Sequence, residues 1–244
     1  TVRELIDYEA YCGTLDHPPA GDEVSVSELA TALAGTGAPL VVVPGLTAHR
    51  TLLVATEWPD IDALNAALPL PGRRFVVQDK ALLGDGLHYE TRIARGRLAT
   101  RADNWHDLFN AMVWMRHPAL KHALNQQQCR HIARMGTSER SPAQQALTQF
   151  DESGVIVQVS DPSLLDLWDR HDWTALFHAN AERWHDGGVA VVAVVGHALM
   201  EQSLVPGRLL VGKCLVVQGD ARDGIARVTE AISAGDVLLA PSEL

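Results

Sequence analysis

The chain has 244 residues, 30 acidic against 20 basic, for a formal net charge of -10, and 47% of its residues are hydrophobic. That length buries a substantial core without requiring a second domain, and apolar residues spread over periodic segments argue against disorder. The negative charge opposes the phosphate attraction behind sequence-independent nucleic-acid binding, so nucleic acid is disfavoured as a partner.

Residues 2–11 read as a short amphipathic helix, stopped by the paired prolines of HPPAGDE. Ser25 and Glu28 have capping-box spacing for a helix over 25–33, and 39–43 reads as a buried strand closed by Pro44 and Gly45. Asp60 caps a helix over 60–68. A β region is expected next, with strands over 74–78 and 87–93 and a turn at 94–96. There the alternation of Tyr89, Thr91 and Ile93 against Glu90 and Arg92 fits one buried and one polar face.

Asp103 and Asn104 cap a helix reaching His117, and Pro118 begins another that Gly136 ends. Segments 146–150 and 155–159 flank Asp151-Glu152-Ser153-Gly154, the strongest hairpin signal in the chain. Helices over 161–170 and 173–185, a strand over 189–195, a short helix over 197–204, a strand over 209–217 and a helix over 224–233 complete the pattern. The expected fold is α/β: a single compact domain with a mixed sheet flanked by helices, or two lobes dividing near residue 100.

The longest apolar run, 189–195, is far short of the roughly 20 residues that span a bilayer. The first residues lack the basic start and apolar stretch of a signal peptide. Cys12, Cys129 and Cys214 are odd in number and widely spaced, and they read as thiols of a reducing compartment. A cytoplasmic location away from membranes is the expectation.

Four constellations carry candidate chemistry. On the helix over 104–117, His106, Asn110 and His117 fall within about 40° of one another with Asp103 and Asp107 beside them, a polar stripe on an otherwise apolar helix. Such a stripe faces a cleft or a buried network, because a helix apolar around most of its circumference does not lie loosely on a surface. His197 follows an apolar strand directly, where ligand sites of open α/β sheets lie, and Glu201 is one helical turn away. Asp151 and Glu152 at the expected turn could bind a cation or serve as acid and base, although Asp and Gly also suit the turn itself. Glu90 and Arg92, two apart on an expected strand, could pair with each other or clamp an anion, with Arg101 following.

No nucleophile elbow, P-loop, dinucleotide-binding glycine turn or HExxH helix is present in the sequence. A loose match of His88, Gly96, Asn104, His117 and Lys121 to ββα-metal nucleases is a minor alternative. The words YETRI, ARGRLATRADNWHDLFNAMVWMRHPALKHALN, ALTQFDESG and GHALMEQSLVP, in this order and spacing, resemble a bacterial family of unknown function, domain of unknown function 3025, over roughly residues 70–217. The resemblance implies a bacterial, cytoplasmic protein and supplies no reaction or cofactor.

The residues themselves lead to one expectation of function, in which the helices carrying His106 and His197 face each other across a cleft with Asp151 or Glu152 at its rim. A hydrolase or lyase acting on a small polar ligand, assisted by a divalent metal, would use His106, Asp107, His197 and Glu201 as catalytic groups. His106, His197 and Glu201 would be the metal ligands, and Arg92, Asn110, Asp151 and Glu152 would bind substrate. The alternative is a non-catalytic ligand-binding or scaffold protein whose polar groups form a structural network. Whether the chain forms a homo-oligomer stays open.

Overall fold

The computed structural model describes residues 58–67, 70–137, 139–205, 208, 210–219 and 223–244. The helices expected over 2–11 and 25–33, the strand over 39–43 and Cys12 lie outside the described residues. Helix α1 (Ile61–Ala67) is capped as expected, Asp60 Oδ1 accepting from the Ala63 amide at 2.7 Å. Its Asn65 side chain both donates to and accepts from the Phe75 backbone, at 3.0 and 2.8 Å, which ties α1 to strand β1 (Arg74–Val77). β1 pairs in parallel with β2 (Arg97–Thr100).

The connection between these strands differs from the expected strand over 87–93 and turn at 94–96. It contains two short helices, α2 (Lys80–Leu83) and α3 (Tyr89–Ala94), where a strand over 87–93 was expected. His88 supplies the reason: its Nδ1 accepts from the Glu90 amide at 3.2 Å and caps the first turn. Two parallel strands also need a crossover, which a two-residue turn cannot provide. The strand pair on which the nuclease comparison rested is therefore absent at 87–96.

Asn104 caps α4 (Trp105–Arg116) through Asp107, and α5 (Pro118–Met135) follows with proline in its first turn, both as the sequence indicates. The second correction is larger. Residues 142–153 form one helix, α6 (Pro142–Ser153), so the hairpin over 146–159 does not exist. Ser141 and Gln144 form a reciprocal capping box with Pro142 at the first helical position, and Ala143, Ala146, Leu147 and Phe150 line one buried helical face. Asp151 and Glu152 consequently stand on the last turn of α6.

With no intervening loop, α6 runs into β3 (Gly154–Val159), the fully buried centre of a three-stranded sheet ordered β4-β3-β5. β3 is antiparallel to β4 (Val189–Val194) and parallel to β5 (Lys213–Gln218), so the sheet is mixed as expected, with β5 starting later than the sequence suggested. Between β3 and β4 lie α7 (Pro162–Asp169), a π-helical turn (Ala175–Ala179) and α8 (Ala181–His185), so the single helix expected over 173–185 is interrupted. Trp168, Trp173, Phe177 and Trp184 pack ring against ring there. Helix α9 (His197–Gln202) follows β4, and α10 (Gly224–Ala234) packs on α5 and the sheet.

Buried Met112, Trp114, Leu120, Phe150, Ile156, Leu199 and Ile232 belong to one contiguous core that joins α4, α5, α6, α9 and α10 to β3. Among the described residues, no helix is long and apolar enough to cross a membrane.

Candidate functional site

Two glycines let three chain segments meet. A Cβ on Gly196 would stand 2.3 Å from Ser153 Cα, and one on Gly154 would stand 2.2 Å from the Phe150 carbonyl oxygen. Only residues without a side chain permit this approach, which brings the start of α9 against the end of α6. His197, first residue of α9, and Glu152, one before the last of α6, become neighbours as a result. α4 packs across α9 and delivers His106 to the same point.

The imidazole rings of His106 and His197 meet edge to face, with centroids 4.4 Å apart and planes at 73°. Their Nε2 atoms are 3.1 Å apart, and Glu152 Oε2 lies 3.8 Å from that of His106 and 3.6 Å from that of His197. The centre of this triangle is about 2.0 Å from each corner, the length of a Zn–N or Zn–O bond. Among the described residues, His106, Glu152 and His197 are the groups whose donor atoms converge in this way.

The surroundings fix the tautomer of one ring. His106 Nδ1 is 2.9 Å from Glu201 Oε2, so the ring donates there and keeps the Nε2 lone pair for the centre. His197 is buried and loses its proton readily, because burial and then the Lys121 charge push its pKa down to about 3. Its Nδ1 makes no hydrogen bond of good geometry, while the Asp151 backbone carbonyl still acts on the ring. Burial raises the Glu152 carboxyl, with His106 opposing the shift.

These groups sit on the wall of a cavity of about 300 Å³, enclosed by α3, α4, α5 and α6. Lys121 Nζ contacts Asp151 Oδ1 at 2.6 Å and lies over the Trp114 ring at 5.5 Å from its centre. Burial would raise the Asp151 carboxyl, but the charge of Lys121, then His197, the Lys121 hydrogen bond and His106 together outweigh it and hold the group below its ordinary value. Asp107 accepts from the Arg101 amide at 2.6 Å and from its guanidinium at 3.0 and 2.8 Å, which pins β2 to α4. Asn110 Nδ2 donates to Tyr89 Oη at 3.0 Å and leaves Oδ1 buried without a partner.

Glu90 lies on the same wall. Its Oε2 accepts from Asn125 Nδ2 at 2.7 Å, and burial, followed by the Asp151 charge, pushes its pKa up to about 7.

Of the residues singled out from sequence, His88, Glu90, Arg101, His106, Asp107, Asn110, Asp151, Glu152 and His197 line this cavity. Glu201 stands behind His106 as its hydrogen-bond partner, so the converging carboxylate is that of Glu152. Arg92 turns away, because a helix separates residues i and i+2 by about 200°. It is buried against Asp85 at 2.6 Å and the Leu87 carbonyl at 3.1 Å, and it forms no clamp with Glu90. His117 caps the junction of α4 and α5, and burial pushes its pKa down to about 4. Sequence reasoning missed Asn125 and Gln128 and named Lys121 only in the nuclease comparison, although their recurrence at i, i+4 and i+7 on α5 marks a polar stripe on a helix that also buries Leu120, Ala123 and Leu124.

A family described as a protein of unknown function, DUF3025, matches residues 73–242. No curated protein and no solved structure matches the chain.

Proposed function

The chain belongs to the DUF3025 family, and since that membership brings no reaction, we propose from the site alone that the protein is a metal-dependent hydrolase or lyase acting on a small polar substrate. The observation that carries this reading is the convergence of His106 Nε2, His197 Nε2 and Glu152 Oε2 on one point at the wall of a polar cavity. Three protein ligands leave coordination positions open, the arrangement of catalytic rather than structural metal sites. Two imidazoles and one carboxylate suit Zn²⁺ or Mn²⁺. An ion held there would polarise a substrate carbonyl or phosphoryl oxygen and acidify a water molecule.

The remaining groups have defined parts in this reading. Glu201 holds the His106 ring in the orientation that presents Nε2, the common use of a carboxylate behind a metal-binding imidazole. Lys121, immobilised by Asp151 and Trp114, supplies a positive charge on the cavity wall where negative charge develops during the reaction. Asn110 hydrogen-bonds the substrate through its free Oδ1. Asp107 is assigned to the wall, not to the chemistry, because the Arg101 amide and guanidinium occupy its carboxylate.

Elemental analysis of purified protein, loaded with Zn²⁺ or Mn²⁺ and desalted, tests the proposal. The expected result is ~1 equivalent of metal in the wild type and under ~0.1 in His106→Ala/His197→Ala. A folded wild type that retains no metal, or a double variant that retains it equally, would contradict the proposal and favour a structural network.

A further inference from the structure

We infer that the cavity selects substrates carrying a basic nitrogen, an amine or amidine group held by Glu90 at the wall built by α3 and α5. The inference rests on the proposed metal centre for where the substrate's reacting group lies, whereas the charge selection belongs to Glu90 alone.

The geometry supports it in three ways. First, of the cavity's carboxylates Asp151 and Asp107 each hold a cation and Glu90 does not, while the Arg140 guanidinium lines the same cavity without an ion pair among the described residues. Lys121 is committed to Asp151 at 2.6 Å and Arg101 to Asp107 at 2.8 Å. Glu90 enters no ion pair among the described residues; its carboxylate has the neutral Asn125 amide at 2.7 Å, while the charges of Lys121 and Arg140 reach it only through space. A partly buried carboxylate without a cation is costly to keep ionised, and a cationic ligand lowers that cost.

Second, the cavity holds a further unmet acceptor together with the unpartnered donor Trp114 Nε1. Tyr89, next to Glu90 on α3, bonds Asn110, whose Oδ1 is buried and unpartnered at the same cavity. The Glu90 carboxylate and the Tyr89–Asn110 pair line the same cavity. An ammonium group brings up to three N–H donors for such acceptors.

Third, the two ends of the cavity have complementary character. A divalent cation held by the single carboxylate of Glu152 leaves a net positive end that attracts a carbonyl or phosphoryl oxygen, and Glu90 provides a negative end. The cavity of about 300 Å³ has room for roughly ten water molecules at their liquid volume, and so for a small molecule spanning both ends.

The test compares butylammonium with 1-butanol, matched in shape and differing in charge, by ligand-observed NMR titration against the folded protein, metal-free and metal-loaded. The expected result is saturable butylammonium binding in both forms, at least ~10-fold tighter than 1-butanol and at least ~10-fold weaker in Glu90→Gln. Equal affinity for the alcohol, no butylammonium binding, or undiminished binding by folded Glu90→Gln would overturn the inference. The wild-type comparison holds even if the variant does not fold. Metal content measured on the same samples separates this outcome from the fate of the metal centre, because a protein without metal that still binds butylammonium through Glu90 fails only the earlier proposal.

Discussion

The α4/α6/α9 wall and the α3/α5 wall of the cavity balance their polar groups in opposite ways. At the first, His106 is held by Glu201, Asp151 by Lys121 and Asp107 by Arg101, so that these three groups are fixed by other parts of the chain. At the second, Glu90 retains acceptor capacity that the chain does not use, and Asn110 of α4 faces the same cavity with an unpartnered Oδ1. The difference teaches that a buried polar group with a complete set of partners orients something, whereas one with an incomplete set awaits something.

That contrast can be broken from the largest effect downward. Lys121→Met leaves Asp151 as an uncompensated buried charge and should cost about 3 kcal/mol in denaturant unfolding. A cost below about 1 kcal/mol would mean that the pair is solvated and that the first wall is not rigid. Gly196→Ala drives a methyl group into the Ser153 backbone and should cost about 2 kcal/mol while also weakening metal retention. Loss of stability with unchanged metal affinity would show that the α6–α9 junction does not set the ligand geometry.

At the second wall the effect has the opposite sign and depends on pH. The Glu90 carboxyl has a folded-state pKa of about 7, above its unfolded value, so the folded state binds the proton more tightly. Stability therefore falls as pH rises from about 4.5 to about 7 and then levels off. Glu90→Gln, which keeps an acceptor for Asn125, should be neutral near pH 4 and stabilising by on the order of 2 kcal/mol at pH 8. Thermal melts of both proteins across that range check the sign, and a variant less stable at pH 8 would remove the claim that Glu90 lacks a cation.

Glu201→Gln should leave the fold intact and weaken metal binding by roughly 10-fold, because the oriented imidazole loses a charged acceptor. The exposed Arg183–Asp186 pair far from both walls is the control, and Arg183→Ala should cost under about 0.5 kcal/mol.

Part of this contrast was legible before any coordinates. The convergence of His106 and His197 followed from two local signals, a polar stripe on an apolar helix and a histidine directly after a buried strand. Glu152 was singled out but placed in the wrong element, because Asp-Glu-Ser-Gly between apolar segments imitates a hairpin turn. The capping box at Ser141 and Gln144, ten residues upstream, decides for the helix instead. Glu90 was recognised as a charge, but a six-residue helix carries too few positions for its period to be told from the alternation of a strand, and the His88 cap that settles it is an uncommon one. Which acids find cations depends on contacts such as Lys121–Asp151, thirty residues apart, and no local pattern encodes them. The mixed sheet was foreseen through β4 and the strand after α6, whereas the four-residue β2 was too short to register.

The most direct test of the central claim is anomalous diffraction at the metal edge from crystals grown with Zn²⁺. The predicted result is one strong peak about 2.0–2.2 Å from His106 Nε2, His197 Nε2 and a Glu152 carboxylate oxygen, with Glu201 bonded to the far side of the His106 ring. A peak coordinated elsewhere in the chain, or none at these three residues at full zinc occupancy of the crystal, would contradict it.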